Sequence, residues 1–233
     1  MNTEKTVILA RTRHDPVTEY THRWSEEIKS LFEGNGWQVA DYEIDRATRG
    51  AVEAALKTAP PGSVFVFYGH GDPDALIGQD YNPVCDLENA GLLRHCKVLA
   101  MACSSAQEDG GLGPMAIEKG ALVYFGYAKE IHSQLLDSKS VPMDTELTQM
   151  IEAFHECANA SVAAWILQPG LTAARIKQKM LEVYDHWILH YGSPNGPGFR
   201  DRRTHKISIN LLHNMKALRL LGDEKMCLTC PVS

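Results

Sequence analysis

No apolar run in this 233-residue chain approaches the roughly 20 residues that a transmembrane helix needs. Nothing resembles a signal peptide either. The first apolar run, Val7-Ile8-Leu9-Ala10, is short and leads directly into Arg11 and Arg13. An excess of basic charge is also missing: 23 Lys and Arg stand against 29 Asp and Glu, a formal net charge of −6. That balance argues against a general nucleic-acid binder, and the cluster Arg200, Arg202, Arg203 and Lys206 reads as a solvated face. Internal repeats and low-complexity tracts are absent. The six cysteines, at 85, 96, 103, 157, 227 and 230, lack the dense spacing of a small disulfide scaffold. Without a leader they are expected to be reduced thiols in a cytoplasmic protein, with neither membrane nor nucleic acid as partner.

What the chain does have is length and alternation. A chain this long buries roughly 70–75% of the surface its unfolded form exposes, enough for one domain. Short apolar runs at residues 6–10, 37–44, 63–68, 97–102 and 121–127 read as strands. Helical spacing separates them at residues 17–32, 47–57, 87–93 and 114–119, with a short hairpin at 74–77. This alternation predicts an α/β fold with a largely parallel sheet and right-handed crossovers. From Asp144 onward the pattern is helical only, and the last helix spans about residues 204–221. The expected organisation over residues 1–233 is one domain: an α/β core over about 5–143, a helical part over about 144–222 and a tail over 223–233.

Two strand ends carry chemistry. Val64-Phe65-Val66-Phe67-Tyr68 runs into Gly69-His70-Gly71-Asp72, and Lys97-Val98-Leu99-Ala100-Met101-Ala102 runs into Cys103-Ser104-Ser105. The carboxyl ends of parallel strands are where ligands sit, so an imidazole and a thiol delivered to one rim would form a nucleophile–base pair. His70 suits the base, because an imidazole titrates near neutrality. Gly71 has no Cβ and lets a substrate carbonyl approach closely, so the N–H groups of Gly71 and Cys103 are the expected oxyanion donors. Taken singly, a cysteine ending an apolar strand is usually inert core, and a His-Gly is usually a turn. Their pairing one crossover apart is what favours chemistry.

The other constellations are weaker. Cys227-Leu228-Thr229-Cys230 offers two of the four ligands a zinc site needs, and His205 and His213 do not complete a finger spacing. A frayed tail bearing two thiols is the expectation, with no metal and no cofactor. His186 and His190 flank Trp187 on what reads as a packed helix face. His132 lies just past the fifth strand, and no role is assigned to it.

Tyr68-Gly69-His70-Gly71 followed by Met101-Ala102-Cys103-Ser104-Ser105 resembles the caspase-like (clan CD) cysteine peptidases. The closest likeness is to bacterial CHAT and gingipain-type domains. Leu112-Gly113-Pro114-Met115-Ala116-Ile117-Glu118-Lys119-Gly120-Ala121 is similar to the helix and Gly-Ala that lead into their next strand. The resemblance covers about residues 5–191 and is strongest over 63–127. It implies a caspase-like sheet flanked by helices, with a helical C-terminal extension. It also implies covalent acyl transfer to Cys103 assisted by His70, with no obligatory third member. The partners implied are a protein or peptide substrate and, as an open matter, a regulatory protein in bacterial signalling or antiviral defence.

Met101 departs from the family twice. It replaces the Gln that precedes Ala-Cys in caspases and the Asp two residues before the nucleophile in metacaspases. Many relatives hold a substrate Arg or Lys through a buried carboxylate, and the candidates for that partner here are Glu130, with Asp144 in reserve. Two rivals share the same motifs. One is a catalytically inactive caspase-fold binding or scaffold module, and the other is a thiol acyltransferase or amide hydrolase using the same dyad.

Overall fold

A computed structural model describes residues 5–133, 145–200 and 202–231. The chain begins with β1 (Thr6–Arg11), α1 (Pro16–Gly34), β2 (Gln38–Glu43), α2 (Arg49–Thr58) and β3 (Val64–Tyr68). A small antiparallel sheet follows, made of β4 (Gly71–Asp72), β5 (Ala75–Ile77) and β6 (Pro83–Asp86). Then come β7 (Lys97–Met101), α3 (Leu112–Glu118), β8 (Val123–Tyr127), α4 (Thr145–Leu167), α5 (Ala173–Gly192), α6 (Arg202–Ala217) and β9 (Leu218–Gly222).

The main sheet has the order β2-β1-β3-β7-β8-β9, parallel except for β9. Its central strands are apolar throughout because both faces are covered. Ile8, Ala10, Phe65, Phe67, Val98 and Ala100 pack with Val52 and Leu56 of α2 and with Leu112 and Ala116 of α3. Their neighbours in sequence, Val7, Leu9, Val64, Val66, Tyr68 and Leu99, face Ile28 and Phe32 of α1 and Trp165 of α4. Each large side chain so buried contributes about 1.5–3 kcal/mol. The parity of a strand thus feeds two cores at once. Among the described residues no helix is long and apolar enough to cross a membrane.

The strand order fixes where a ligand would sit. β1 pairs with β2 on one side and β3 on the other, so the crossovers diverge at β1 and β3 and leave a crevice at their carboxyl ends. Three loops open there: the one after β1 leading to α1, the one after β3 carrying His70, and the one after β7 carrying Cys103.

Three departures from the expected elements have physical causes. The helix expected at 87–93 is a 3-10 turn at Ala90–Leu93. Asp86 and Asn89 bind the local backbone in its place, with Asp86 Oδ1 accepting from Glu88 N at 3.0 Å and Asn89 N at 3.2 Å. The last helix stops at Ala217, and Leu218–Gly222 forms β9, antiparallel to β8. Leu218 and Leu220 alternate inward, and pairing here covers a sheet edge that would otherwise stay open.

The tail is not frayed, and two of its cysteines are not free thiols: Cys227 and Cys230 form a disulfide. Met226 O accepts from Ala173 N at 2.8 Å, Leu228 N donates to Pro169 O at 3.0 Å, and Leu228 is buried. The Leu228 carbonyl also accepts from Lys97 Nζ at 2.9 Å, so the tail satisfies a buried ammonium beneath the sheet.

Candidate active site

Register brings the two strand-end residues level. Tyr68 of β3 pairs with Met101 of β7, so His70 and Cys103 each lie two residues beyond the same rung. Gly69 N donates to Met101 O at 3.3 Å, extending the ladder by one step toward the histidine. The loop after β1 joins the same rim, because Thr12 N donates to Tyr68 O at 3.0 Å.

That loop supplies a residue to which the strand-end motifs did not point. Asp15 Oδ2 lies 2.7 Å from His70 Nε2. The same carboxylate caps α1, with Oδ1 accepting from Val17 N at 3.0 Å and Thr18 N at 2.9 Å, completed by a capping box with Thr18. Burial alone would raise the Asp15 carboxyl, but the Thr18 N–H and the bond to His70 hold it below its usual value. An ionised carboxylate only accepts, so His70 Nε2 is the donor in this pair, and in the neutral ring the lone pair then lies on Nδ1. Asp15-Pro16-Val17-Thr18 reads in sequence as a helix start, and that cap was the available signal.

Cys103 is half-buried, and its Sγ accepts from Ile131 N at 3.2 Å. Burial pushes the thiol up, the Ile131 N–H pulls it partly back, and the negative charges of Glu130 and Asp72 push it up further. The resting sulfur is therefore a thiol that needs a base at the moment of attack. Ser104 follows in the left-handed region at φ +55°, turning the chain sharply away from the sulfur. Its N–H donates to Lys129 O at 3.0 Å.

Gly71 meets the cysteine backbone. A Cβ there would lie 2.7 Å from Cys103 O and 2.8 Å from Ala102 Cβ, so only glycine lets the two loops approach this closely. Ile77 N donates to His70 O at 3.0 Å, making those two the bonded rung of the small sheet. Alternation then turns the Gly71 N–H away from β5.

The remaining expected site residues are less enclosed. Glu130 is solvent-exposed at the rim beside Ile131, not the buried carboxylate expected of a specificity pocket. Asp144 lies outside the described residues. The segment at 130–132 is clamped by α6, whose contribution the sequence did not reveal. Asn214 Oδ1 accepts from His132 N and Asn214 Nδ2 donates to His132 O, both at 2.8 Å. His213 Nε2 reaches Glu130 O at 2.9 Å, and the rings of His132 and His213 stack 3.8 Å apart.

The described residues hold one cluster with metal-ligand spacing, His22, Glu26 and Glu43, beside the carboxyl ends of β1 and β2, where Arg11 pairs in register with Glu43 on one side and Tyr68 on the other. Arg11 already fills it, pairing with Glu26 and, at 3.0 Å, with Glu43. A guanidinium there neutralises the carboxylates and takes the place a cation would need.

No family profile matches the sequence, and none of the curated proteins matches it. Solved structures do resemble it. The Arg-specific cysteine proteinase gingipain R superposes with a TM-score of 0.57 at 10% identity, over 96% of this chain and 47% of that one. A complex of the pro- and mature domains of RgpB from Porphyromonas gingivalis gives a TM-score of 0.50 at 10% identity, over 96% and 48%. The chain thus spans about half the length of the structures it resembles. The shared feature is the fold: this is a caspase-like α/β protein, with a mostly parallel six-stranded sheet flanked by helices, of the kind found in gingipain cysteine proteinases.

Proposed function

We propose that the chain is a cysteine endopeptidase working through His70 and Cys103, with Asp15 orienting the histidine. The observation that carries this reading is the level placement of His70 and Cys103 beyond paired strands, with Nε2 of His70 tied to a capped carboxylate. His70 Nδ1 takes the thiol proton as sulfur attacks the scissile carbonyl carbon, and the resulting oxyanion is met by the N–H groups of Gly71 and Cys103. Collapse breaks the C–N bond, and His70 returns the proton to the leaving amine. Water, deprotonated by His70, then attacks the thioester and frees the acid and the thiol. No cofactor or metal enters the scheme.

The surroundings of the thiol carry negative charge. Glu130 and Asp72 both act on the thiol. That field favours a basic residue before the scissile bond, in line with the arginine specificity of gingipain R. An exposed carboxylate gives a modest preference, weakened in Glu130→Gln. The pathway proposed is regulated intracellular proteolysis in bacterial signalling or defence.

Digestion of a proteome-derived peptide library, read by mass spectrometry, tests the reading. Cleavage is expected from the unaltered protein and is abolished in Cys103→Ala and in His70→Ala, with circular dichroism unchanged. Iodoacetamide should label Cys103 before the buried Cys85, Cys96 and Cys157. Undiminished cleavage by a folded Cys103→Ala protein would end the proposal. No cleavage by the unaltered protein would favour the scaffold alternative.

A further inference from the structure

On the flank of His70 away from Glu130 stands a group of rings that the proposed mechanism does not use. The His14 ring stacks on His70 with centroids 5.8 Å apart and planes 16° from parallel. It also stacks on Tyr81, at 4.5 Å and 28°. Both nitrogens of His14 are buried without a hydrogen-bond partner. Held between two rings, the half-buried imidazole acts as a flat spacer. Burial and the neighbouring His70 lower its pKa against the opposing pull of Asp15, the Gln79 backbone and Asp80.

Tyr81 is the outer ring, and it is 70% exposed. Its backbone sits in the left-handed region at φ +62°, which an aromatic residue rarely adopts. The turn that holds it is well tied. Tyr81 N donates to Gly78 O at 3.0 Å and Gly78 N to Asn82 O at 2.8 Å. Gln79 exchanges hydrogen bonds with the Arg13 backbone, at 2.7 Å and 3.0 Å. A strained backbone that presents an aromatic face to solvent gains nothing for the core. Strain of this kind collects where a ligand is met.

Direction follows from the histidine. Nε2 faces Asp15, which leaves Nδ1 to protonate the leaving amine, so in the proposed mechanism the departing chain starts beside His70. The next surface on that flank is His14 and Tyr81. Beside it lies an open groove of about 450 Å³ lined by Arg13, His14, Asp15, Pro16, Glu19 and Tyr20, among others.

We propose that Tyr81, backed by His14, is the platform for the first side chain on the leaving-group side of the scissile bond, and that it selects a flat aromatic residue there. The proposal rests on the peptidase reading for its direction. Tyrosine suits the task, since its ring gives a large rigid contact at small conformational cost.

The library digest provides the first test. Phe, Tyr and Trp should be enriched over Ala just after the cleaved bond by roughly three- to tenfold, the scale of one aromatic pair. Tyr81→Gly removes the ring while suiting the left-handed backbone, and it should erase the enrichment. Tyr81→Phe should keep it. A second measurement needs no turnover. In Cys103→Ala protein labelled at histidine and tyrosine, phenylalaninamide should shift the NMR signals of Tyr81, His14 and His70, and alaninamide at the same concentration should not. Equal use of aromatic and small residues, or enrichment surviving in Tyr81→Gly, overturns the platform. If no peptide is cut, the peptidase reading falls and the titration alone decides. Absence of a phenylalaninamide shift then overturns the platform as well.

Discussion

Asp15 performs two tasks with two oxygens, and substitution can separate them. Oδ1 caps α1, whereas Oδ2 faces His70 Nε2 at 2.7 Å. Asparagine caps a helix as well as aspartate and loses only the charged contact with His70, so Asp15→Asn should lower the melting temperature less than Asp15→Ala does. Alanine loses the cap, about 1 kcal/mol, which for a chain of this size lowers the melting temperature by roughly 2–4 °C. For catalysis the order of concern reverses. The asparagine amide can present its N–H to Nε2, drawing the lone pair there and placing the proton on Nδ1, where it blocks acceptance of the thiol proton. A hydrogen bond to a charged group contributes about 1.5–3 kcal/mol, or roughly 10- to 150-fold in rate. Both side chains are 39% exposed, so water competes for the imidazole and the lower part of that range applies, about 10- to 50-fold. The assay is kcat/KM for a peptide taken from the library digest, measured from pH 5 to 9 beside thermal unfolding. Because its folded pKa is depressed, Asp15 contributes stability above the ordinary value of 3.8 and loses it only as pH falls through the lower folded value. The deficit of Asp15→Asn should therefore persist across the whole window. If Asp15→Asn keeps kcat/KM within twofold of the unaltered protein at every pH, the orienting role is refuted.

Two further predictions concern packing. In Gly71→Ala the new Cβ meets Cys103 O at 2.7 Å and Ala102 Cβ at 2.8 Å, so the loops bearing His70 and Cys103 must part by several tenths of an ångström. A fall in kcat of about tenfold or more is expected; unchanged kcat in steady-state assays would show that the contact has slack. Lys97 is 1% exposed, and burial lowers its ammonium from 10.5 to about 8. Below pH 8 the folded protein carries this desolvated charge. Between about 8 and 10.5 the unfolded chain alone is protonated, so stability rises with pH, by on the order of 3 kcal/mol in total. Buried thiols such as Cys85, Cys96 and Cys157 pull stability the other way over this range, so the measure is the difference between the two proteins: urea unfolding should shift in favour of the unaltered protein over Lys97→Met from pH 7 to pH 10, and parallel curves for the two would refute the burial argument. Truncation after Gly222 removes the Leu228 carbonyl that Lys97 Nζ meets at 2.9 Å, and should destabilise the protein most at neutral pH.

His70 and Cys103 were legible because a strand buried on both faces is an unbroken apolar run, and each run stops at a residue the core has no use for. The spacing of the runs also revealed the parallel sheet, since each crossover carried its own helix-period face. Asp15 was hidden by its first task. A carboxylate before Pro16 reads fully as a helix cap, and nothing local says that its second oxygen faces a residue 55 positions away. Glu130 was misjudged in depth. The charge lies beside the thiol, yet burial depends on what packs over a loop, and here α6 clamps the backbone while the side chain stays in water.

The C-terminal end failed for a related reason. Leu218-Arg219-Leu220-Leu221 has no period that separates a helix end from a strand, and the choice falls to β8, whose open edge offers a full set of backbone partners. The tail beyond it is polar enough to read as frayed, but Lys97 lies in a strand too deeply buried to reach water and must find acceptors. A lysine in an otherwise apolar strand was therefore the sign that some later segment has to supply a carbonyl. Leu228 supplies it, and the Cys227–Cys230 bridge closes the turn that presents it.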